Sequence, residues 1–382
     1  MTLKEELEIL RGEPIKVCEG DPMDIPCIET SDVEKLCENP VVSVHMITYN
    51  HEPYIRQAIE GVMMQKTDFE FELVIGEDAS TDKTREICFE YQKRYPDKIR
   101  VLWWHENLGK VGHPAGGNAK RTTAHCRGEF IAFCEGDDYW IDPLKLQKQV
   151  DVMRKNSNVS FVFTDSNIYD ERSKEIEEWL GAKCYLPGVI KGGDFFSMYS
   201  FGRDMVHGPG PEGFIATASC MLRTSLLSVL RKKYEVFSWQ LLLGDKQLWL
   251  GLATLGDVFY LPDKTAAYRR NSGGAMNTYG KLIYRDSALT KIYLTVTGPY
   301  DLKLPFYVFG NVLFSRTDFF EGYLERKYKK EASIIWRFLF RYRVSFAGIR
   351  VSVKFRWLLF LLSGKAVAFK ITKRTFFRFL FS

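Results

Sequence analysis

Residues 41–154 alternate short apolar runs with segments of helical periodicity, and few folds accommodate that alternation. The runs are rich in β-branched and aromatic residues, which is typical of buried strands. Strands are predicted at 41–48, 71–78, 99–106 and 128–135. Helices are predicted between and after them, at 52–65, 81–95, 114–126 and 143–154. This order indicates βαβ units, and therefore an α/β fold with a mostly parallel sheet flanked by helices.

Polar residues follow three of these strands at the point where each strand ends. Thr48–Asn50 follows the first strand, Glu77–Asp78 ends the second, and Glu135–Asp138 follows the fourth. Ligands of parallel α/β sheets bind at the carboxyl ends of the strands. The three polar groups are therefore predicted to form a single site.

The segment 130–140, FIAFCEGDDYW, has three carboxylates directly after a buried strand. Glu135, Asp137 and Asp138 repel one another, and each raises the pKa of the others unless a cation or a hydrogen-bond donor compensates. A solvated Gly-Asp-Asp turn is the alternative, but the strand before the run and the aromatic pair after it argue against free exposure. Carboxylate oxygens beside a diphosphate suit Mg²⁺ or Mn²⁺. The run therefore predicts a site for a divalent cation.

Two other carboxylates and one tyrosine are candidates for the same site. Asp78 precedes a helix cap at a strand end, where its carboxylate could accept the imide N–H of a uracil ring. Tyr49 could stack on that base, and packing is its alternative role. Asp245 lies between apolar runs, so it is either a hydrogen-bonded structural carboxylate or a general base held by rigid surroundings.

Six segments follow one another in an order that is more specific than any one of them: TYNHEPYI (48–55), IGEDASTDKT (75–84), NLG (107–109), GEFIAFCEGDDYWIDPLKLQKQV (128–150), GDKQLWLGLATLG (244–256) and AYRRNSGG (267–274). This set resembles the family 2 glycosyltransferases, which have a GT-A fold. The resemblance covers about residues 41–275. It implies an inverting transfer of a sugar from a nucleotide diphosphate sugar, most often a UDP-sugar, with Mn²⁺ or Mg²⁺ as cofactor.

The resemblance also implies a role for each matching residue. The nucleotide-sugar-binding residues would be Thr48, Tyr49, Asp78, Asn118, Arg121, Glu135 and Asp137. Tyr49 and Asp78 would contact the base, and Glu135 and Asp137 the ribose and diphosphate. Asp137 or Asp138 would hold the metal, and Asp245 would deprotonate the acceptor hydroxyl. For Arg121, a charge on a helix surface is the alternative.

Several positions depart from the family pattern. Glu77 and Ala79 stand where the family usually has Asp and Gly, which is a mild change. Glu135 replaces the first Asp of the D-x-D run and has a longer reach. Gly244 stands where Glu often precedes the base. Asn271 stands where His is common, so a metal or diphosphate contact at that position is not implied.

The remaining segments complete the predicted domain organisation. Residues 1–40 contain four prolines and are predicted to be a partly ordered extension. Residues 41–275 would form the transferase domain, 276–335 a helical part, and 336–382 a tail. None of the eight cysteines lies in a C-x-x-C pair, and the N-terminal residues lack a signal-peptide pattern, so a reducing cytosolic compartment is expected.

The tail differs physically from the rest of the chain. Residues 336–382 carry eleven Lys or Arg residues, thirteen aromatic residues and no Asp or Glu, so the remainder is net acidic although the whole chain has a formal charge of +5. Lys370, Arg374 and Arg378 share one helical face, and Phe369, Phe376 and Leu380 lie on another. This pattern favours a peripheral helix on an anionic membrane surface over a nucleic-acid-binding segment.

These features together predict a metal-dependent inverting glycosyltransferase at the cytoplasmic face of the membrane. Its acceptor would be a lipid-linked or cell-surface glycan, such as a polyprenyl diphosphate sugar or a lipopolysaccharide intermediate, and no nucleic acid would be a partner. A nucleotidyltransferase is the first alternative, but TYNHEP has no Gly-rich, basic triphosphate loop. A non-catalytic membrane or nucleic-acid binder on a transferase fold is the second alternative.

Overall fold

The structure is a computed structural model, and it describes residues 1–17, 26–108, 116–178, 185–201, 215–241, 245–271, 275–302, 308, 312, 330, 331, 333, 334 and 337. The helices are α1 (Leu3–Arg11), α2 (Ile55–Met63), α3 (Thr84–Arg94), α4 (Gly117–Ala124), α5 (Lys145–Lys155), α6 (Gly192–Phe201), α7 (Ser225–Lys233), α8 (Asp245–Ala253) and α9 (Ala275–Thr297). The strands are β1 (Ile28–Thr30), β2 (Val42–Thr48), β3 (Phe71–Glu77), β4 (Ile99–Trp103), β5 (Phe130–Phe133), β6 (Tyr139–Trp140), β7 (Val159–Asp170), β8 (Glu175–Glu178), β9 (Gly188–Ile190), β10 (Met221–Arg223) and β11 (Asp257–Arg270). Short 3₁₀ helices lie at Thr217–Ser219 and Glu235–Ser238.

The described strands form one mixed sheet in the order β1-β4-β3-β2-β5-β10-β7-β11-β6, with β8 paired to β7 and β9 paired to β11. The four strands predicted from the sequence form the parallel centre, β4-β3-β2-β5. The predicted α/β architecture is confirmed. The sheet as a whole is less parallel than predicted, because β1 and β10 add to this centre in antiparallel orientation.

The four helices predicted for residues 52–154 are present with shorter bounds. Among them, α3 begins at Thr84 rather than at the predicted cap Thr81–Asp82. The Asp82 carboxylate instead accepts hydrogen bonds from the backbone N–H groups of Thr84 and Glu52, at 3.0 and 3.1 Å. Asp82 therefore supports the first turn of α3 and also ties the loop after β2 to the loop after β3.

Two apolar clusters enclose the sheet because strand side chains alternate between its faces. Along β5, Phe130 and Ala132 join the cluster that includes residues of α2, α3 and α5. Ile131 and Phe133 join the other cluster, which includes residues of α1, α6, α8 and α9. The central strands are buried on both faces and fix the positions of the loops that follow them.

The N-terminal residues are more ordered than the sequence predicts. Thr2 and Glu5 form a reciprocal capping box at the start of α1, and Leu7 and Leu10 are completely buried in the core. The edge of the sheet is closed by β1, which pairs with β4. Separate short elements could form here because the prolines lie between them rather than within them.

The predicted tail, 336–382, lies outside the described residues except for Arg337, whose Nε is 3.2 Å from Glu6 Oε1. The other domain boundaries stay predictions. Within the described part of the chain, we find no helix with both the length and the apolar character needed to span a membrane.

A buried ion network holds the starts of the central strands together. Glu72 is nearly inaccessible on β3 and accepts hydrogen bonds from Ser43 Oγ at 2.6 Å, Arg127 Nη2 at 2.6 Å and Arg100 Nη1 at 3.2 Å. Arg100 also donates to Glu29 of β1, from Nε at 2.7 Å. Burial raises the pKa of Glu72, but the hydrogen bonds from Arg127 and Ser43 and the charge of Arg100 lower it overall. Its contribution to stability is therefore present at neutral pH and is lost on acidification through the lowered pKa.

Glu72→Gln is expected to lower the free energy of unfolding by about 3 kcal/mol at pH 7, because it removes the buried charge that pairs with Arg100 and Arg127. Chemical denaturation at pH 7 and pH 4 measures this loss, which should be smaller at pH 4. Glu90→Gln is the control, since Glu90 makes a two-point ion pair with Arg56 on the surface. Equal losses in the two variants would contradict the role given to Glu72.

Candidate functional site

The site lies at the carboxyl ends of the central strands. Thr48 is in register with Glu77, so β2 and β3 end side by side. The loop after β5 reaches them, since Gly136 N donates to Ile47 O at 2.9 Å. The structure thus brings together the ends of the three strands whose polar residues were predicted to converge.

Gly136 is the point of closest approach between the loop 135–138, here called the acidic loop, and β2. A Cβ atom at Gly136 would lie 2.8 Å from Thr48 Oγ1 and 2.9 Å from His51 Nδ1. Both of these atoms are buried and have no hydrogen-bond partner. Two unsatisfied polar groups next to a glycine form a cradle suited to a polar ligand. His51 was missed by the sequence reasoning, although it lies within the TYNHEP motif.

The three carboxylates of the acidic loop have different surroundings. Asp137 is half-buried, and its Oδ2 accepts a hydrogen bond from Asn271 Nδ2 at 2.8 Å. Asp138 is almost fully buried, and its Oδ1 accepts from the backbone N–H of Arg269 at 2.8 Å. Glu135 Oε2 is buried and has no hydrogen-bond partner. Of the two predicted metal ligands, Asp137 is therefore the more accessible.

Electrostatic repulsion in the acidic loop shifts the protonation of its side chains. Burial, followed by the charges of Asp137 and Asp245, raises the pKa of Glu135 to about 8. Burial and the charges of Asp137 and Glu135 raise the pKa of Asp138 well above its usual value, against the opposing contacts of Arg269. A cation bound at the acidic loop would offset this repulsion and favour the ionised carboxylates.

The acidic loop fits a divalent cation in its chemistry, because it presents hard oxygen donors, one of them a buried atom without a partner. Among the residues that the structure describes, no three His, Cys, Asp or Glu side chains are arranged to hold a metal ion by themselves. A cation here would take its other ligands from a diphosphate and from water, as Mg²⁺ commonly does. Asp137 and Asp138 stay predictions as metal ligands.

Asp245, the predicted base, begins α8. Its Oδ2 accepts a hydrogen bond from Thr217 Oγ1 at 2.6 Å, and its Oδ1 accepts from the backbone N–H of Lys246 at 2.8 Å. Its charge contributes to the raised pKa of Glu135, so the Asp245 carboxylate lies near the acidic loop. A carboxylate at a helix N-terminus is stabilised by the helix dipole and is oriented by these two donors.

Asp78 is fixed by donors that the sequence reasoning did not identify. Its Oδ1 accepts from Trp104 Nε1 at 2.6 Å and from Leu108 N at 2.9 Å, and its Oδ2 accepts from Asn107 Nδ2 at 3.0 Å. Burial raises the pKa of Asp78, and the Leu108 and Trp104 donors oppose that rise. The NLG motif was the available signal for Asn107 and Leu108.

Arg121 is fully buried, so the alternative of a charge on the helix surface is wrong. Its guanidinium carbon lies 3.2 Å from the centroid of the Trp104 ring, and Nη1 donates to Pro26 O at 2.7 Å. Burial lowers the pKa of Arg121 to about 10, against the charges of Cys27 and Asp78. Trp104 therefore contacts both residues, with Arg121 over its ring and Asp78 at its Nε1.

The remaining predicted residues, Asn118 and Tyr49, lie beside the ends of β3 and β2. Asn118 Nδ2 donates to Gly76 O at 2.8 Å and thereby fastens α4 to β3. Tyr49 is half-buried after β2. Ala79 has a positive φ of 56°, which explains why the family pattern has glycine at this position. The replacement by alanine keeps the turn at a cost in strain.

Part of the chain is similar to proteins of a known family. Residues 43–231 match the family model described as glycosyl transferase family 2. Uncharacterized proteins of Mycobacterium bovis and Mycobacterium tuberculosis are 33% identical over 235 residues, which is 61% of this chain and 60% of each relative. The chain thus spans about 60% of the length of these curated relatives.

Two further proteins are similar to parts of the chain. The Escherichia coli UDP-Glc:alpha-D-GlcNAc-diphosphoundecaprenol beta-1,3-glucosyltransferase WfgD is 32% identical over 133 residues, covering 35% of this chain and 48% of WfgD. The crystal structure of S. aureus TarS 1-349 in complex with UDP-GlcNAc has a TM-score of 0.50 at 18% identity, covering 77% of this chain and 79% of the TarS chain. The likeness to TarS concerns the fold alone.

Glu135→Gln is expected to stabilise the metal-free protein at alkaline pH. A carboxyl group with a raised pKa adds stability below its ordinary pKa of 4.5, and that stability is lost as the pH rises through about 8. The variant should match the wild type near pH 5 and exceed it by roughly 2 to 4 kcal/mol near pH 9. Denaturation in EDTA across this range measures the difference, with Glu129→Gln, at an exposed position before β5, as the control. A wild-type profile parallel to that of the variant would refute the burial argument.

Proposed function

The chain belongs to the family 2 glycosyltransferases, and we propose that it transfers a sugar from a UDP-sugar to a hydroxyl group of a lipid-linked or cell-surface glycan. The transfer would proceed with inversion and would use Mn²⁺ or Mg²⁺. The observation that carries this proposal is the presence of three groups near the carboxyl ends of the central strands: the held carboxylate of Asp78, the acidic loop, and Asp245, whose charge acts on Glu135 of that loop.

Inversion at the anomeric carbon requires a base on the acceptor side and a stabilised leaving group on the other side. Asp245 would accept the proton of the attacking hydroxyl at its carboxylate. Its bonds to Thr217 and Lys246 N fix both oxygens before the acceptor arrives. The acceptor oxygen displaces the nucleoside diphosphate from the anomeric carbon in one step, so no protein nucleophile is needed.

The acidic loop would act on the leaving diphosphate. A divalent cation bound there supplies Lewis-acid neutralisation of the charge that develops on the diphosphate. Asp137 would hold the cation through the oxygen that does not face Asn271, while Asp138 keeps the loop in shape. Burial and the charges of Asp137 and Asp245 raise the pKa of Glu135, and a positive charge beside it would favour its ionised form.

The nucleotide would bind at Asp78 and Arg121. The Asp78 carboxylate can accept a further hydrogen bond, such as that from the imide of uracil, and its position is set by Trp104, Leu108 and Asn107. The name of WfgD, which carries UDP-Glc, supports a UDP-linked donor.

The acceptor proposal rests on WfgD and on the tail. The name of WfgD describes a diphosphoundecaprenol-linked acceptor. Residues 336–382 combine eleven cations with thirteen aromatic residues, a composition suited to adsorption on an anionic bilayer. We therefore propose peripheral binding at the cytoplasmic face of the membrane, where such an acceptor would be met.

Asp245→Asn and Asp137→Asn should separate catalysis from donor binding. Asp245→Asn should lower kcat by roughly 10²- to 10⁴-fold, because a general base is lost, and leave UDP affinity within about threefold. Asp137→Asn should weaken manganese-dependent UDP binding at least tenfold. Turnover assays over a panel of UDP-sugars and calorimetric titration with UDP and MnCl₂ measure the two effects. The control is Asp263→Asn, which removes a carboxylate paired with Lys148 at the surface.

Near-normal turnover of Asp245→Asn would remove that residue as the base. A wild-type protein that binds no UDP in the presence of manganese would contradict the whole proposal and favour a non-catalytic protein on a transferase fold.

Deletion of residues 336–382 should release the protein from vesicles that contain anionic lipid. The eleven cations supply roughly 1 kcal/mol each when they reach the surface. Flotation of the full chain and of the deletion variant with phosphatidylglycerol vesicles measures this, and neutral phosphatidylcholine vesicles are the control. Equal flotation of the two proteins would exclude the tail as the anchor.

A further inference from the structure

Arg269 has no role in the sequence analysis, yet it contacts the acidic loop at two points. Its backbone N–H donates to Asp138 Oδ1 at 2.8 Å, and its Nε donates to Asp137 O at 2.8 Å. The first contact holds the side chain of Asp138, and the second holds the main chain of Asp137. We propose that Arg269 is a positioning residue that sets the acidic loop for the cation and diphosphate without touching the donor itself.

The other guanidinium nitrogens of Arg269 are anchored outside the acidic loop. Nη2 donates to Gln57 Oε1 on α2 at 2.6 Å, and Nη1 forms an ion pair with Glu171 in the turn after β7. All three nitrogens of the guanidinium thus have protein partners. Because its guanidinium nitrogens already bind protein groups, Arg269 is not arranged to bind a phosphate. It instead links α2 and the turn after β7 to the acidic loop.

Three tyrosine rings surround the same guanidinium. Its carbon lies 4.8 Å from the ring centroid of Tyr54, 5.1 Å from that of Tyr139 and 5.1 Å from that of Tyr169. The rings contribute cation–π attraction and exclude water from the hydrogen bonds that they cover. Lysine offers neither the planar fork nor three separately directed nitrogens, so it cannot reproduce this arrangement.

The residue two positions after Arg269 supports the same arrangement. Asn271 donates to Asp137 Oδ2 at 2.8 Å, while Arg269 holds the carbonyl oxygen of Asp137. The end of β11 therefore fixes both the backbone and the side chain of the residue proposed to bind the cation. This explains how a loop of mutually repelling carboxylates can keep one geometry before any cation binds.

This inference rests on the proposed function, and Arg269→Lys tests it against a matched control. Arg100→Lys is that control, because Arg100 is equally buried and donates to Glu29, Glu72 and His125 O, at the opposite end of the central strands. Both variants should lower the melting temperature. Only Arg269→Lys should weaken the manganese-dependent affinity for UDP, by at least tenfold, as measured by calorimetric titration with UDP and MnCl₂ below both melting temperatures.

Three outcomes overturn the inference in different ways. A wild-type protein without manganese-dependent UDP binding removes the proposed function and this inference together. If the wild type binds and Arg269→Lys binds equally well, the inference alone fails. An equal loss of affinity in Arg269→Lys and Arg100→Lys would make the role of Arg269 merely structural.

Glu171→Gln provides a second test should Arg269→Lys not fold. Glu171 lies in a partly exposed turn, so its replacement leaves the core intact while removing the charge that holds Nη1. A three- to fivefold loss of manganese-dependent UDP affinity is expected, with little change in melting temperature. An affinity equal to that of the wild type would overturn the proposal.

Discussion

Repulsion among carboxylates in a poorly solvated loop is the constraint on which the site depends. The pKa values of Glu135 and Asp138 are raised mainly by burial and by the charges of their acidic neighbours. Such a loop is stable only if the rest of the protein holds it in place. The parallel strands supply the rigid base, and Gly136 allows the loop to lie against β2 without the clash that a side chain would cause.

Buried carboxylates are compensated differently at the two ends of the central strands. At the starts of the strands, Glu72 is neutralised by Arg100 and Arg127, and its pKa is lowered overall. At the carboxyl ends, the side-chain donors that reach the acidic loop include the neutral amide of Asn271, while the guanidinium of Arg269 contacts a backbone oxygen. The first arrangement favours stability without a ligand. The second leaves negative charge to be compensated by a ligand, which is the arrangement expected of a binding site.

Much of the architecture could be predicted from the sequence, because the four central strands are continuous apolar runs separated by segments of helical periodicity. The pairing of β1 and β10 with this centre could not, since short strands carry little periodicity and their partners lie far away in the chain. The carboxylates of the site were identified because acidic residues after a buried strand are unusual. Their supports, Trp104 at Asp78 and Arg269 at the acidic loop, were missed because long-range contacts between polar and aromatic side chains leave no local pattern.

Asp137 and Asp138 illustrate how adjacent identical residues acquire different functions. The Asp138 side chain is buried against the backbone of β11, where an oxygen accepts from Arg269 N. The Asp137 side chain is more open, and Asn271 engages only one of its oxygens. The family pattern has histidine where Asn271 stands, and an amide at this position orients Asp137 without adding a positive charge. The compensating positive charge must then come from the cation, so the departure from the family pattern increases the dependence of the acidic loop on a bound metal ion.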